Sequence, residues 1–206
     1  MKILSVEKFK GNTSRVVISN GEQSAEIYLN NDIIRRCGIT GNMDIKASEL
    51  KKIRSENDLR RAREWALYIL DMREHSVKEL YDKLIKKYPD EICRTVCSEL
   101  EEKGILDDRT YAGQLFERYS SKYGRYRVQN ELYRRGIDRE IIDEVCEDFP
   151  DKTEQIKAFF SRKYIDKIDD RSAYSKIINA AVRRGYSYSE AAQALNELRQ
   201  EIEEEQ

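Results

Sequence analysis

Arg134-Arg135-Gly136 returns as Arg183-Arg184-Gly185, so position 136 repeats at 185, an offset of 49 residues. The same offset links Val96-Cys97 and Leu100 to Val145-Cys146 and Phe149, then to Ala194-Leu195 and Leu198. A chain that repeats at such a period is built of units that cannot bury their apolar faces alone and must stack. Three copies of a three-helix unit are expected, roughly Leu59–Gly104, Asp107–Pro150 and Asp151–Gln206, with Leu100, Phe149 and Leu198 buried at equivalent places. The third copy is longer, with extra residues around Lys167–Arg171.

The best-defined unit runs from Gly104 to Ile137. Gly104 ends one helix, since glycine takes the left-handed backbone that a helix C-terminus needs. Asp107 or Asp108 can cap the next by accepting from its free N–H groups. Leu115, Phe116 and Tyr119 give that helix an apolar stripe. Gly124 breaks it, a strongly basic helix follows, and Gly136 ends that one.

Before the repeats, residues 1–30 read as a three-strand meander. Ile3 and Val6, Val16 and Ile18, then Ala25, Ile27 and Leu29 supply its apolar positions. Gly11-Asn12 and Asn20-Gly21 supply the turns, the latter being the dipeptide that a two-residue type I′ hairpin prefers. Asn31–Cys37 reads as a short helix stopped by Gly38, and Ile39–Asp44 as a loop. From Ser48 onward the chain should be almost wholly helical, Ser48–Ser55 and Asp58–Met72 forming two helices or one. Ser76 with Glu79, and Ser187 with Glu190, are capping boxes, in which hydroxyl and carboxylate each satisfy the other's backbone donor. The expected fold is mainly α, an elongated array of three tandem three-helix repeats behind a small N-terminal β-meander. The expected divisions are a β-rich segment over 1–47, the first repeat with its connecting helix over 48–106, the second over 107–150, and the third with an acidic tail over 151–206.

Catalytic constellations do not emerge. The single histidine, His75, precedes a helix cap and reads as a turn residue. Cys93 and Cys97 lie four apart on an expected helix, but no second pair or histidine joins them, and Cys146 repeats the Cys97 position. Packing explains them better than a metal or redox chemistry. Carboxylate pairs such as Asp107-Asp108 and Asp169-Asp170 precede helices and read as caps. No glycine-rich phosphate loop occurs. The reading is therefore a non-enzymatic protein with no cofactor and no metal. Four cysteines without a pairing pattern, and no apolar run of spanning length, point to a reduced cytoplasmic setting and no membrane.

Charge order is more informative than the formal net charge of −1, which gives no global attraction to nucleic acid. Arg109–Arg139 holds eight basic residues against three acidic, whereas residues 140–151 hold six acidic and none basic. Lys157–Arg184 again holds eight basic against three acidic, and the tail Glu201–Glu205 is acidic. Tyr119, Tyr123, Tyr126 and Tyr133 are interleaved with Arg118, Lys122, Arg125, Arg127, Arg134 and Arg135. Guanidinium and phenol groups together suit a surface that docks protein or tracks phosphates. Helical geometry puts Arg127 and Arg134 on one face and Arg125 elsewhere.

Leu106-Asp107-Asp108, Tyr111-Ala112, Arg118, Gly124, Arg127, Glu131-Leu132 and Gly136-Ile137 resemble the middle of RecX, the bacterial regulator of the RecA recombinase. Ala66-Leu67, Leu70, Ser76, Glu79-Leu80 and Leu84 fit the same pattern, and the β-rich front resembles Gram-positive-type members. The resemblance covers nearly the whole chain and is weakest in the third repeat and the acidic tail. It implies a monomeric regulator, acting in DNA recombination, repair and the SOS response, that lies on a RecA–DNA filament and chiefly inhibits it. With the charge order, it implies a RecA- or DNA-filament-binding surface of Arg118, Lys122, Arg125, Arg127, Arg134, Arg135, Arg183 and Arg184. The alternative is a stand-alone DNA-binding helical-repeat protein, whose affinity would fall steeply with salt.

Overall fold

A computed structural model describes residues 1–204, so that Glu205 of the acidic tail and the Gln206 after it lie outside the described residues. The chain forms two compact units, one of Met1–Glu74 with Leu80–Lys103, the other of His75–Glu79 with Gly104 onward.

The first unit opens with β1 (Lys2–Lys10), β2 (Thr13–Ser19) and β3 (Ser24–Asn30), followed by α1 (Asn31–Arg36) and β4 (Met43–Asp44). The sheet is antiparallel in the order β3-β2-β1-β4. Two expectations need correction. Met43-Asp44 is not loop but a short strand, because it pairs with Lys2 and Ile3 of β1. The two-residue hairpin sits at Gly11-Asn12, where Lys10 faces Thr13. At Asn20-Gly21 the connection takes four residues, since Ser19 faces Ser24. There the Asn20 side chain accepts from the Glu22 and Gln23 amides, an Asx turn that replaces the type I′ geometry.

Alternation along the strands puts Ile3, Val16, Ile18, Ile27 and Leu29 on one face, packed with Ile33, Ile34, Ile39, Ile45, Leu50 and Ile53. The last two belong to α2 (Ala47–Met72), a single helix. Asn57 on α2 is buried, accepting from the Asn30 amide (2.9 Å) and donating to the Tyr28 carbonyl (3.1 Å). It thus satisfies part of the open edge of β3, which a bare edge would leave unpaired. α3 (Val77–Leu84) and α4 (Asp90–Glu102) follow, and a two-pronged Arg63–Glu99 pair links α2 to α4.

In the second unit, α5 (Asp108–Ser120), α6 (Arg125–Arg134) and α7 (Arg139–Val145) enclose Tyr111, Ala112, Leu115, Val128, Leu132, Ile137, Ile142 and Cys146. A second core is built by α8 (Thr153–Tyr164), α9 (Tyr174–Val182) and α10 (Tyr188–Glu204), around Ile156, Phe160, Ile177, Ala181, Tyr186 and Leu195. Asp107 caps α5, accepting from the Arg109 and Thr110 amides. Both capping boxes form, Ser76 with Glu79 and Ser187 with Glu190. The residues around Lys167–Arg171 make two 3₁₀ turns, Ile165–Lys167 and Arg171–Ala173, that enter α9. Among the described residues no strand follows Asp44.

Leu100 and Leu198 are buried as expected, but Phe149 is only half-buried. The reason is local: α7 ends at Val145, so Phe149 lies beyond the helix and meets the Phe116 ring edge-on at 5.5 Å. The equivalence holds one turn earlier, where Cys97, Cys146 and Leu195 are all buried.

Candidate docking surface

The basic residues singled out by the sequence are placed by two similar joints within the second unit. At the first, the start of α3 meets the end of α6. The Ser76 hydroxyl donates to the Arg135 carbonyl, and the Lys78 side chain packs on Gly136, which has φ +79°. At the other, the start of α6 meets the end of α9. The Gly124 amide donates to the Arg184 carbonyl (3.0 Å) and the Tyr126 amide to the Gly185 carbonyl (3.1 Å). Gly185 has φ +90°, and a Cβ there would stand 2.4 Å from the Arg127 backbone nitrogen. Only glycine permits both the conformation and the approach. A helix N-terminus thereby gives its free amides to a helix C-terminus, satisfying orphan groups of both.

The second joint brings Arg127, Arg183 and Arg184 of the eight together, with Arg118 and Lys122 shortly before it along the chain. Arg183 and Arg184 stand on one side of it, and Arg127 packs on the other. Lys122, in the short α5–α6 connection, precedes Tyr123, over whose ring the Arg127 guanidinium lies at 4.5 Å. Tyr123 in turn faces Tyr119, next to Arg118, with ring centroids 6.1 Å apart. The Arg184 guanidinium lies 4.3 Å above Phe159 of α8. Arg118, Lys122, Arg127 and Arg183 are exposed, and Arg184 is half-buried.

The other three lie elsewhere. Arg134 is exposed at the far end of α6, about 10 Å along the helix from Arg127. Arg125 is half-buried, and its charge reaches Cys146. Arg135 is half-buried too, bonded to the Tyr111 hydroxyl (2.7 Å), Glu79 (3.3 Å) and Glu131 (3.5 Å). Tyr111 also donates to Glu79 (2.9 Å), and burial with that carboxylate raises its phenol pKa. Arg135 thus lies inside a structural network. Sequence reasoning missed two partners, Glu79 for Arg135 and Phe159 for Arg184. The first was legible in principle, because Glu79 and Arg127 both stand three residues after the residue that opens their helix. Of the tyrosines, Tyr126 and Tyr133 are exposed by 57% and 72%, offering open ring faces on α6.

Other chemistry is sparse. Cys93, Cys97 and Cys146 are buried, and burial raises each thiol, Cys97 to about 11, so they pack rather than react. His75 is buried just ahead of the Ser76 cap. Among the described residues no three metal-ligating side chains converge, and no helix is long and apolar enough to cross a membrane. The first unit carries an open groove of about 380 Å³, lined by residues including Met1, Leu50, Arg54, Pro89 and Ile92. Its charged side chains, except half-buried Asp58, are exposed.

Two family models match the chain: RecX, first three-helix domain, over residues 62–100, and RecX, second three-helix domain, over residues 107–145. The regulatory protein RecX of Streptococcus sanguinis (strain SK36) is 28% identical over 211 residues, covering 100% of this chain and 80% of that protein. Its counterpart in Streptococcus pneumoniae (strain Hungary19A-6) is 29% identical over 210 residues with the same coverage. A crystal structure of regulatory protein RecX superposes with a TM-score of 0.68 at 15% identity, covering 95% of this chain and 98% of that one. The crystal structure of RecX from Lactobacillus salivarius gives 0.63 at 20% identity, covering 69% and 97%.

Proposed function

The chain belongs to the RecX family of non-enzymatic regulatory proteins, and from that premise we propose that it docks on the RecA–DNA filament and restrains its activity in recombination and repair. The observation that carries this reading is the set of exposed basic side chains around the Gly124–Gly185 joint. Arg118, Lys122, Arg127 and Arg183 meet no carboxylate among the described residues, whereas Arg15, Arg36, Arg63, Arg94 and Arg109 each do. Unpaired charge held on a packed helical scaffold suits recognition of a charged partner over an extended contact. Arg134 extends the surface along α6, and Arg135, Arg125 and Arg184 support it from partly buried positions.

The test is RecA-dependent ATP hydrolysis on single-stranded DNA, titrated with the parent protein and with an Arg118→Glu/Arg134→Glu double variant. The parent should inhibit; the folded variant should need on the order of tenfold more protein, because reversed charges repel across the contact. A folded variant that inhibits fully removes this surface. A parent that binds an oligonucleotide without RecA, with affinity falling steeply in salt, supports the stand-alone DNA-binding reading instead.

A further inference from the structure

Arg135 and Arg184 occupy equivalent places, each just before the glycine that ends the middle helix of its unit, yet their surroundings are opposite. At the first joint the residue three positions beyond Ser76 is Glu79, which pairs with Arg135. At the second joint the residue three positions beyond Gly124 is Arg127. One joint therefore sets a carboxylate against the arginine, and the other sets two arginines on adjoining backbone. Neither Arg127 nor Arg184 meets a side-chain acceptor or carboxylate among the described residues. Each guanidinium lies on a ring instead, at 4.5 Å over Tyr123 and 4.3 Å over Phe159. The other ring-associated arginines, Arg94 and Arg199, lie farther off at 5.7 Å, and both are already bonded, to Asp90 and to the Ile168 carbonyl.

Two arginines set on adjoining backbone, in a place where the sister joint holds an ion pair, leave positive charge without the partner that Glu79 gives Arg135 until a ligand supplies one. The guanidinium fork is planar already, and its ring holds it in place, so little side-chain freedom is lost when an oxyanion arrives. We propose that Arg127 and Arg184 form a twin-guanidinium clamp for a pair of carboxylates on a protein partner, Tyr123 and Phe159 being its positioning residues. The proposal rests on the docking reading above and names the chemistry of its contact. Carboxylates are favoured over a phosphate chain by the mixed charge of the chain that carries the clamp. Glu140, Glu147 and Asp148 in the same unit are exposed and unpaired among the described residues, and the chain's net charge is −1. A uniform polyanion can answer only the basic side chains of such a unit, whereas a protein of mixed charge can match both signs.

Arg127→Glu makes the second joint a copy of the first and is the decisive variant. It should raise the melting temperature by a degree or more, since the introduced carboxylate gives Arg184 the kind of partner that Glu79 gives Arg135, and weaken binding to RecA filaments on single-stranded DNA at least tenfold. Arg184→Gln should weaken that binding several-fold, and Tyr123→Leu should do so with no charge changed. A thirty-nucleotide oligo-dT without RecA is the second probe. A parent that leaves the filament unbound overturns both the docking reading and the clamp. A parent that binds the filament while Arg127→Glu binds it equally overturns the clamp alone. So does oligo-dT binding by the parent that these variants reduce as strongly as filament binding, which would make phosphate the ligand. Lowered stability in a well-bound Arg127→Glu variant would show Arg127 to be structural.

Discussion

Gly124 and Gly185 meet backbone to backbone: a Cβ on Gly124 would stand 2.3 Å from the Gly185 carbonyl oxygen. Two helices from different repeats approach this closely only because neither carries a side chain at the contact. The basic residues gathered there depend on that approach, and the cost of disturbing it can be measured.

Gly185→Ala should destabilise the protein by about 2–4 kcal/mol, strain at positive φ adding to a clash with Arg127. Gly113→Ala is the control. Gly113 lies within α5, and nothing stands within 4 Å of an added Cβ, so alanine should gain about 0.5–1 kcal/mol from helix propensity. Denaturant midpoints of both variants should move in opposite directions.

Asn57→Ala should cost about 1–3 kcal/mol, because it strips partners from the Asn30 amide and the Tyr28 carbonyl on the β3 edge. Hydrogen exchange at the Asn30 amide should quicken in the variant. An unchanged rate would mean that Asn57 does not guard that edge.

Phe149→Ala should cost about 1–2 kcal/mol rather than the several expected of a fully enclosed ring, since Phe149 is half-buried and packs at the edge of its cluster beside Phe116. Leu198→Ala, at the equivalent but buried position, should cost more, about 2–5 kcal/mol. Comparing the two chemical-denaturation midpoints checks the order.

Asp108 accepts from the Val77 amide, and burial, with smaller contributions from Asp107, Asp138 and Glu79, raises its carboxyl pKa. A raised acid favours the protonated form in the folded state, so the ionised group opposes folding above its folded pKa. That penalty fades as pH falls through the folded pKa towards the unfolded value. Asp108→Asn keeps an acceptor for Val77 and should melt about one or two degrees higher at pH 7. The advantage should shrink towards pH 4, as melting curves of parent and variant across that range would reveal.

Much of the fold is determined by sequence alone, because its signals are local. Asp107 and the two Ser–Glu boxes announce helix starts within four residues, and Gly104, Gly136 and Gly185 announce ends through a backbone that other residues avoid. The strand alternation from Ile3 to Leu29 placed most of the sheet's buried face without reference to any partner, Ala25 near the start of β3 being the exception, exposed in the structure. Less local features escaped. The two-residue strand at Met43 exists only because β1 lies alongside, and the turn at Asn20 is set by its own side chain rather than by the dipeptide's usual preference.

The candidate surface divides in the same way. Sequence order determined where arginines cluster, and the period of the repeat paired Arg135 with Arg184. Only tertiary structure decided that Arg135 is neutralised by Glu79 while Arg184 rests on Phe159 without a carboxylate. The physical reason is range. A cap or a helical stripe is settled by neighbours a few residues away, whereas the charge a guanidinium presents depends on whichever carboxylate or ring the packing brings within a few ångströms, here from residues 56 and 25 positions distant.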